Sequence, residues 1–300
     1  MAFDADTIVD RRRLKRHLTF WRALAIVALV VGAIAAVGRF AGLKTGAHVA
    51  RLTVLGLILE DQDRIDALQA ARDDNRVRAV LVRIDSPGGS VVGGETLFLA
   101  LRDVAGAKPV VAVMGELATS AGYMVALGAD HIVARSGTLT GSIGVLLQSA
   151  DVTGLLDKLG IRAESVKSAP LKAQPNPLEP FTEEARQATR SVVMDMYAMF
   201  VDMVAERRGL DRARVLELAD GRVFTGRQAL KDGLIDTLGG EEAARLWLET
   251  THQIKPELPV RDIDIETQDE DWPSMARSLV GKALFSERLT LDGLISLWQP

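Results

Sequence analysis

Ser120 stands in the segment Gly115-Glu116-Leu117-Ala118-Thr119-Ser120-Ala121-Gly122-Tyr123, between a short apolar run and a helical pattern. Small residues after such a serine admit a substrate carbonyl closely, and the backbone N–H of Ala121 faces any negative charge that develops there. The same local sequence suits a serine that merely caps a helix, so the segment alone leaves both readings open. A second segment, Asp85-Ser86-Pro87-Gly88-Gly89-Ser90, also follows an apolar run and precedes a helical pattern. Its paired glycines are free to take positive φ and to present bare N–H groups, which suits an oxyanion as well as an ordinary turn.

A serine hydroxyl needs a base before it can attack a carbonyl. Of the four histidines, His17 precedes an apolar N-terminal run, His48 lies in a linker, and His252 follows the last core helix. His131 enters an expected strand and reads as a packed or edge residue rather than a triad base. A lysine is then the candidate, because its amine can be held neutral by apolar burial whereas a guanidinium cannot. Lys172 lies in Ser168-Ala169-Pro170-Leu171-Lys172-Ala173-Gln174-Pro175, a Pro-punctuated loop after an expected strand at Ala163–Lys167. Lys167 is its local rival, but its place at a strand end makes it the solvent-facing lysine of the two. Any one basic residue taken alone is most simply a solvated surface charge.

These residues need a frame to hold them. Leu52–Leu59, Val77–Ile84, Val110–Met114 and His131–Ala134 are short apolar runs of strand length. Arg64–Arg72, Val91–Val104 and Ala121–Leu127 have helical spacing between them. Alternating units with nearly all-apolar strands predict an α/β domain with a mainly parallel sheet and right-handed crossovers. Thr182, followed by Glu183 and Glu184, opens a long helix to Arg208, with Val192, Met196, Phe200 and Met203 on one stripe and Gly209 beyond its end. Asp211 is placed to cap a short second helix. Glu257–Asp271 carries seven acids against one arginine and reads as a linker, with Trp272-Pro273 opening a C-terminal tail.

The 300 residues hold no cysteine, which excludes disulfides, thiolate zinc sites, iron–sulfur clusters and a cysteine nucleophile. No cofactor or metal is expected. The near balance of 36 Lys+Arg against 40 Asp+Glu argues against nucleic acid as the main partner. The positive charges are concentrated: Arg11, Arg12, Arg13, Lys15, Arg16 and Arg22 precede an uncharged run from Ala23 to Gly38, which Arg39 and Lys44 close. Sixteen helical residues rise only ~24 Å, short of the ~30 Å hydrocarbon core, so a span must borrow Phe20, Trp21 and Phe40 to Leu43. The expectation is a transmembrane anchor at 20–43, with a basic cytoplasmic tail at 1–19 and everything after a linker at 44–50 on the far side. A cleaved signal peptide is the alternative, since Ala33-Ile34-Ala35 has the small-x-small form of a cleavage site.

Taken together, the segments resemble the signal peptide peptidase A family of serine–lysine endopeptidases, in its short, single-anchor bacterial form, over about residues 51–250. Ser86 to Gly89 resembles that family's Ser-Pro-Gly-Gly loop, and Thr119 to Tyr123 its Ala-Ser-Gly-Gly-Tyr nucleophile segment. Thr140-Gly141-Ser142-Ile143-Gly144-Val145 resembles its Thr-Gly-Ser-Ile-Gly-Val, and Lys167 to Lys172 its Lys-Ser-Gly-x-x-Lys, whose last lysine is the general base. Asp220 to Ala229, with Gly233-Leu234-Ile235-Asp236, resembles a downstream motif.

The resemblance implies a crotonase/Clp protease-like fold. Ser120 would be the nucleophile, Lys172 the base, Gly89 and Ala121 the oxyanion donors, and Ser142 an orienting residue. It also implies a homo-oligomeric ring in which one subunit's nucleophile meets its neighbour's base. The ring would sit on the outer face of the bacterial inner membrane and take signal peptides and other hydrophobic peptides. The sequence departs from the family pattern at Ala121 and Ala169, where glycine is usual. Ala121 still supplies an N–H, but an alanine at 169 would be strained if that position needed positive φ. The rival readings are a membrane protease acting on membrane-associated partner proteins, an acyl-CoA hydratase or isomerase of the same fold, and a scaffold without activity. The 251–300 segment is expected to be an acidic linker and tail.

Overall fold

The computed structural model describes residues 17–33, 46–265 and 295–297. The chain divides into two compact units, Met1–Ala47 and His48–Pro300. In the first, residues 17–33 form helix α1, whose apolar side chains are exposed, Phe20, Ile26 and Leu29 among them. No helix among the described residues is long and apolar enough to cross a membrane. The remainder of the expected anchor, 34–43, lies outside the described residues, as do the basic tail to residue 16 and most of the C-terminal tail.

The second unit begins with strand β1 (His48–Ile58), helix α2 (Gln62–Asp73), β2 (Val77–Ser90), α3 (Val91–Ala105), β3 (Val110–Thr119), α4 (Ala121–Ala126), β4 (His131–Ala134) and β5 (Leu139–Gly141). It continues with α5 (Thr153–Lys158), α6 (Glu183–Arg208), α7 (Arg212–Leu218), β6 (Val223–Thr225), α8 (Gly226–Lys231), β7 (Thr237–Leu238), α9 (Glu241–His252), β8 (Val260–Asp262) and β9 (Ile295–Leu297). The sheet is mixed but mainly parallel. β8, β1, β2 and β3 run parallel side by side, β4 and β5 both pair in parallel with β3, and β6 and β9 join antiparallel.

The apolar runs of the sequence explain this arrangement, since alternate strand residues point to opposite faces. Val80, Val82 and Ile84 of β2, with Val110, Ala112 and Met114 of β3, belong to a large core shared with Leu68, Leu97, Leu101, Met124 and Phe200. Ala79, Leu81, Val111 and Val113 point the other way and pack on Ala244 and Leu248 of α9. Helix starts follow the capping residues: Asp61 accepts from Arg64 N–H, Ser90 from Gly93 N–H and Thr182 from Ala185 N–H, while Gly209 closes α6 at φ 61°.

Four sequence expectations are corrected. The Asp85–Ser90 segment is not a loop, because β2 runs through it to Ser90. Ala163–Lys167 is not a strand: among the described residues no strand pairs with it, and its residues are exposed or half-buried. Asp211 occupies the N-cap position of α7 without making a side-chain capping bond. The stripe expected along α6 is covered only toward its C-terminal end, where Phe200, Val201 and Val204 are buried; Val192 is exposed.

Candidate active site

The C-terminal ends of parallel strands are where α/β sheets present their chemistry, and here β3 and β5 end together while β2 runs on to Ser90. β3 and β2 pair as far as Ser86 opposite Ala118, with a register shift between Ile84 and Ser86, while Thr119 pairs with Gly141 of β5. Ser120 then leaves the sheet, its N–H donating to the Gly141 carbonyl at 2.8 Å, and α4 starts at Ala121. Ser142 follows Gly141 directly, so the pairing brings it beside Ser120. Ser142 is itself held by its N–H donating to Arg222 O at 2.8 Å.

Ser120 adopts φ 57° and ψ −121°, a combination that favours glycine. It is 1% exposed, and its side chain makes no capping bond to α4. The helix-cap reading therefore falls. A strained, tightly turned serine between a strand and a helix persists only because its surroundings fix it, and such strain concentrates at functional sites. Ser142 also has positive φ, at 49°.

The residues that fix this turn lie in segments the sequence singles out, but their hydrogen-bonding roles were not read from it. Thr119 Oγ1 donates to Pro87 O at 3.1 Å, and Thr140 Oγ1 to Ala118 O at 2.8 Å, both from buried side chains. Ser86 is also fully buried; its hydroxyl donates to Gly56 O at 2.6 Å and accepts from Gly88 N–H at 3.1 Å. Asp85 Oδ1 accepts from Leu117 N–H at 3.1 Å. The available signal was a row of small polar residues at the ends of otherwise apolar strands. Such hydroxyls, once buried, must find partners.

The two glycines of β2 have different reasons to be glycine. Gly88 has φ 116°, which side chains avoid. Gly89 has no positive φ but lies opposite Ile58, and an added Cβ would sit 1.8 Å from the Ile58 carbonyl oxygen. Gly89→Ala should lower stability in urea unfolding by about 1–3 kcal/mol, the usual range for overpacking. Gly154→Ala, where a Cβ meets nothing within 4 Å, should leave it unchanged or slightly raised.

β1 occupies one edge of β2 at Gly88 and Gly89, and β9 pairs antiparallel over Gly88–Ser90. β9 must therefore take the opposite edge, the one β3 vacates as it turns into Ser120. An extended chain segment is thus seated on β2 just past its last pairing with β3.

The remaining candidates behave differently from one another. Ala121 is fully buried at the first position of α4, without positive φ. Ala169 has no positive φ either, so alanine is accommodated there; the left-handed residue of that loop is Ala173, at φ 61°. Lys172 is exposed in a turn tied by its own N–H donating to Ala169 O at 3.1 Å. Among the described residues its ammonium has no hydrogen-bond or ion-pair partner. Lys167, by contrast, is ion-paired to Glu179. Thus Ser120, Ala121 and Ser142 lie where β3 and β5 end, Gly89 lies further along β2, and among the described residues Lys172 is not bonded to any of them.

His131 is a packed residue. Its Nε2 lies 2.9 Å from Thr237 Oγ1, its ring stacks on Trp247 at 4.8 Å, and burial pushes the imidazole below the ordinary histidine range despite the nearby Asp236 carboxylate. Tyr123, also buried, donates its hydroxyl to Leu234 O at 2.8 Å.

The profile described as "Peptidase family S49" matches residues 102–255, a span that includes Ser120, Ser142 and Lys172. "Putative protease slr0021" of Synechocystis sp. is 37% identical over 240 residues, covering 79% of this chain and 84% of that protein. "Putative signal peptide peptidase SppA" of Enterococcus faecium is 31% identical over 247 residues, covering 79% of this chain and 69% of that protein. Among solved structures, a mutant of ClpP1 from Listeria monocytogenes aligns over 63% of this chain and 91% of its own, at 16% identity and a TM-score of 0.42.

Proposed function

Since the chain belongs to peptidase family S49, a family of proteases, we propose that it is a membrane-anchored serine endopeptidase with a Ser120/Lys172 dyad, hydrolysing extended apolar peptides such as cleaved signal peptides. The observation that carries the reading is Ser120 itself, held in a glycine-like conformation at a strand end and released from capping, next to an edge that accepts an extended segment. We assign the sheet to the crotonase/Clp protease-like class through that family membership.

In this mechanism neutral Lys172 takes the Ser120 proton as Oγ attacks the peptide carbonyl carbon. The carbonyl oxygen becomes an oxyanion held by the N–H groups of Gly89 and Ala121. Collapse breaks the C–N bond, and the Lys172 ammonium protonates the departing amine. Water, deprotonated by the same amine, then attacks the acyl carbon, and as the bond to Ser120 Oγ breaks the Lys172 ammonium returns the proton to that oxygen. Ser142, beside Ser120, orients the lysine.

Lys172 comes from a neighbouring copy in this reading. Two features support that: its ammonium is unpaired among the described residues, and residues 144–182, which carry it, include no buried position. A segment of that length without a core of its own is stabilised by packing on something else. Assembly into a homo-oligomeric ring would supply the contact and exclude water from the amine. The exposed apolar side chains of α1 support anchoring, since a helix apolar all round calls for lipid or protein cover. The basic N-terminal cluster then puts the catalytic unit on the outer face of the bacterial inner membrane.

The experiment is digestion of a signal peptide and of a charged peptide of equal length, with product ends read by mass spectrometry. Cleavage confined to the apolar stretch, after small or aliphatic residues, is expected. Equal cleavage of the charged peptide, or none of either, would overturn the substrate assignment.

A further inference from the structure

The segment that carries Lys172 is organised around one carboxylate. Glu179 accepts hydrogen bonds from Ser165 Oγ at 2.5 Å and from Gln174 Nε2 at 2.5 Å, and it is ion-paired to Lys167 Nζ. Two of these donors precede Lys172 in the chain and one follows it, so the carboxylate closes the loop on both sides of the lysine. The intervening turn is drawn tight by Lys172 N–H donating to Ala169 O and Gln174 N–H to Leu171 O, at 3.1 and 3.2 Å. Asn176 Nδ2 donates to Ala173 O at 2.8 Å.

This clamp stands where a core would otherwise stand. No residue from 144 to 182 is buried, so burial of side chains does not fix where Lys172 points. Lys167 and Glu179 are nonetheless partly covered, their side chains only 16% and 24% exposed. The hydrogen bonds from Lys167 and Ser165 hold the Glu179 carboxyl down at about 2, so it is charged at neutral pH. Gln174 shows that the carboxylate dictates the arrangement. Its amide nitrogen turns to Glu179 although this leaves its own Oε1 buried without a donor.

We propose that Glu179 is the positioning residue of the catalytic base: its carboxylate ties Ser165, Lys167 and Gln174 together, which fixes the loop bearing Lys172 and leaves Lys172 as that loop's one unpaired amine. The inference rests on the Ser120/Lys172 reading. It accounts for two lysines five residues apart taking different parts, one neutralised in an ion pair and one available to move a proton.

The test uses the full chain in its membrane or detergent-solubilised form, with steady-state kinetics on an apolar peptide. Glu179→Gln removes the charge while keeping the size, and it faces three donors with an NH2 group. It should lower kcat by about 10- to 100-fold, with KM changed less than about threefold and Tm unchanged, because no core residue is touched. Pairing it with Lys167→Met removes the stray ammonium, and the double variant should recover severalfold of the lost kcat. A merely structural role would not give that recovery. Glu179→Gln and Glu179→Ala with wild-type kcat, while Lys172→Ala is inactive, would overturn this inference and leave the dyad standing. A loss confined to KM, a lowered Tm or a double variant no better than the single would also overturn it. Full activity in Lys172→Ala would instead overturn the dyad.

Discussion

Ser120→Ala should reduce peptide hydrolysis by on the order of 10⁴–10⁶-fold, the range seen when a serine nucleophile is deleted from a site whose oxyanion donors remain. The fold should survive, because the hydroxyl contributes no capping bond to α4 and the turn is held from outside, by Thr119, Thr140 and Ser86. Circular dichroism and Tm should match the wild type. Ser120→Gly makes the contrast sharper. It should be equally inactive yet somewhat more stable, since glycine adopts φ 57° and ψ −121° without the cost of about 1–3 kcal/mol that a side chain incurs there. Activity surviving in either variant would mean that the nucleophile lies elsewhere.

Lys172→Ala should be comparably damaging, because an alcohol without a base is a poor nucleophile at neutral pH. Arginine should not rescue it, since a guanidinium keeps its proton. Lys167→Ala should behave differently. It releases Glu179 and loosens the loop but leaves the base in place, so a partial loss is expected. The two lysine variants thus separate the amine that reacts from the amine that is paired.

Much of this was legible in the chain before its structure. Nearly continuous apolar runs place β1, β2, β3 and β4 because both faces of a parallel sheet are covered, which leaves little freedom in residue type. The site segments were visible for a related reason: Gly88, Gly89 and the small residues after Ser120 are backbone requirements, and backbone requirements are written in residue identity. What could not be read was set by partners distant in sequence. The continuation of β2 to Ser90 depends on β1 and β9 flanking it, and the irregular path of Ala163–Lys167 on the lack of any strand to pair with. Whether Ser120 caps α4 depends on a dihedral angle, and which of Lys167 and Lys172 is ion-paired depends on Glu179, twelve and seven residues further along. None of these leaves a periodic trace.

A shared site makes a statistical demand that few other arrangements would meet. If each active centre takes Ser120 from one copy and Lys172 from its neighbour, Ser120→Ala and Lys172→Ala chains that are inert separately must complement each other when they assemble together. Equimolar co-assembly with random placement should return about a quarter of wild-type activity, since half of the serine positions are intact and half of the adjoining lysine positions are. That fraction should rise and fall with the mixing ratio and vanish at either extreme. Co-expressing the two variants and measuring peptide hydrolysis across ratios is the most direct measurement. Recovery near a quarter at equal amounts is the result expected, and activity no greater than that of the separate variants at every ratio would contradict a composite Ser120/Lys172 centre.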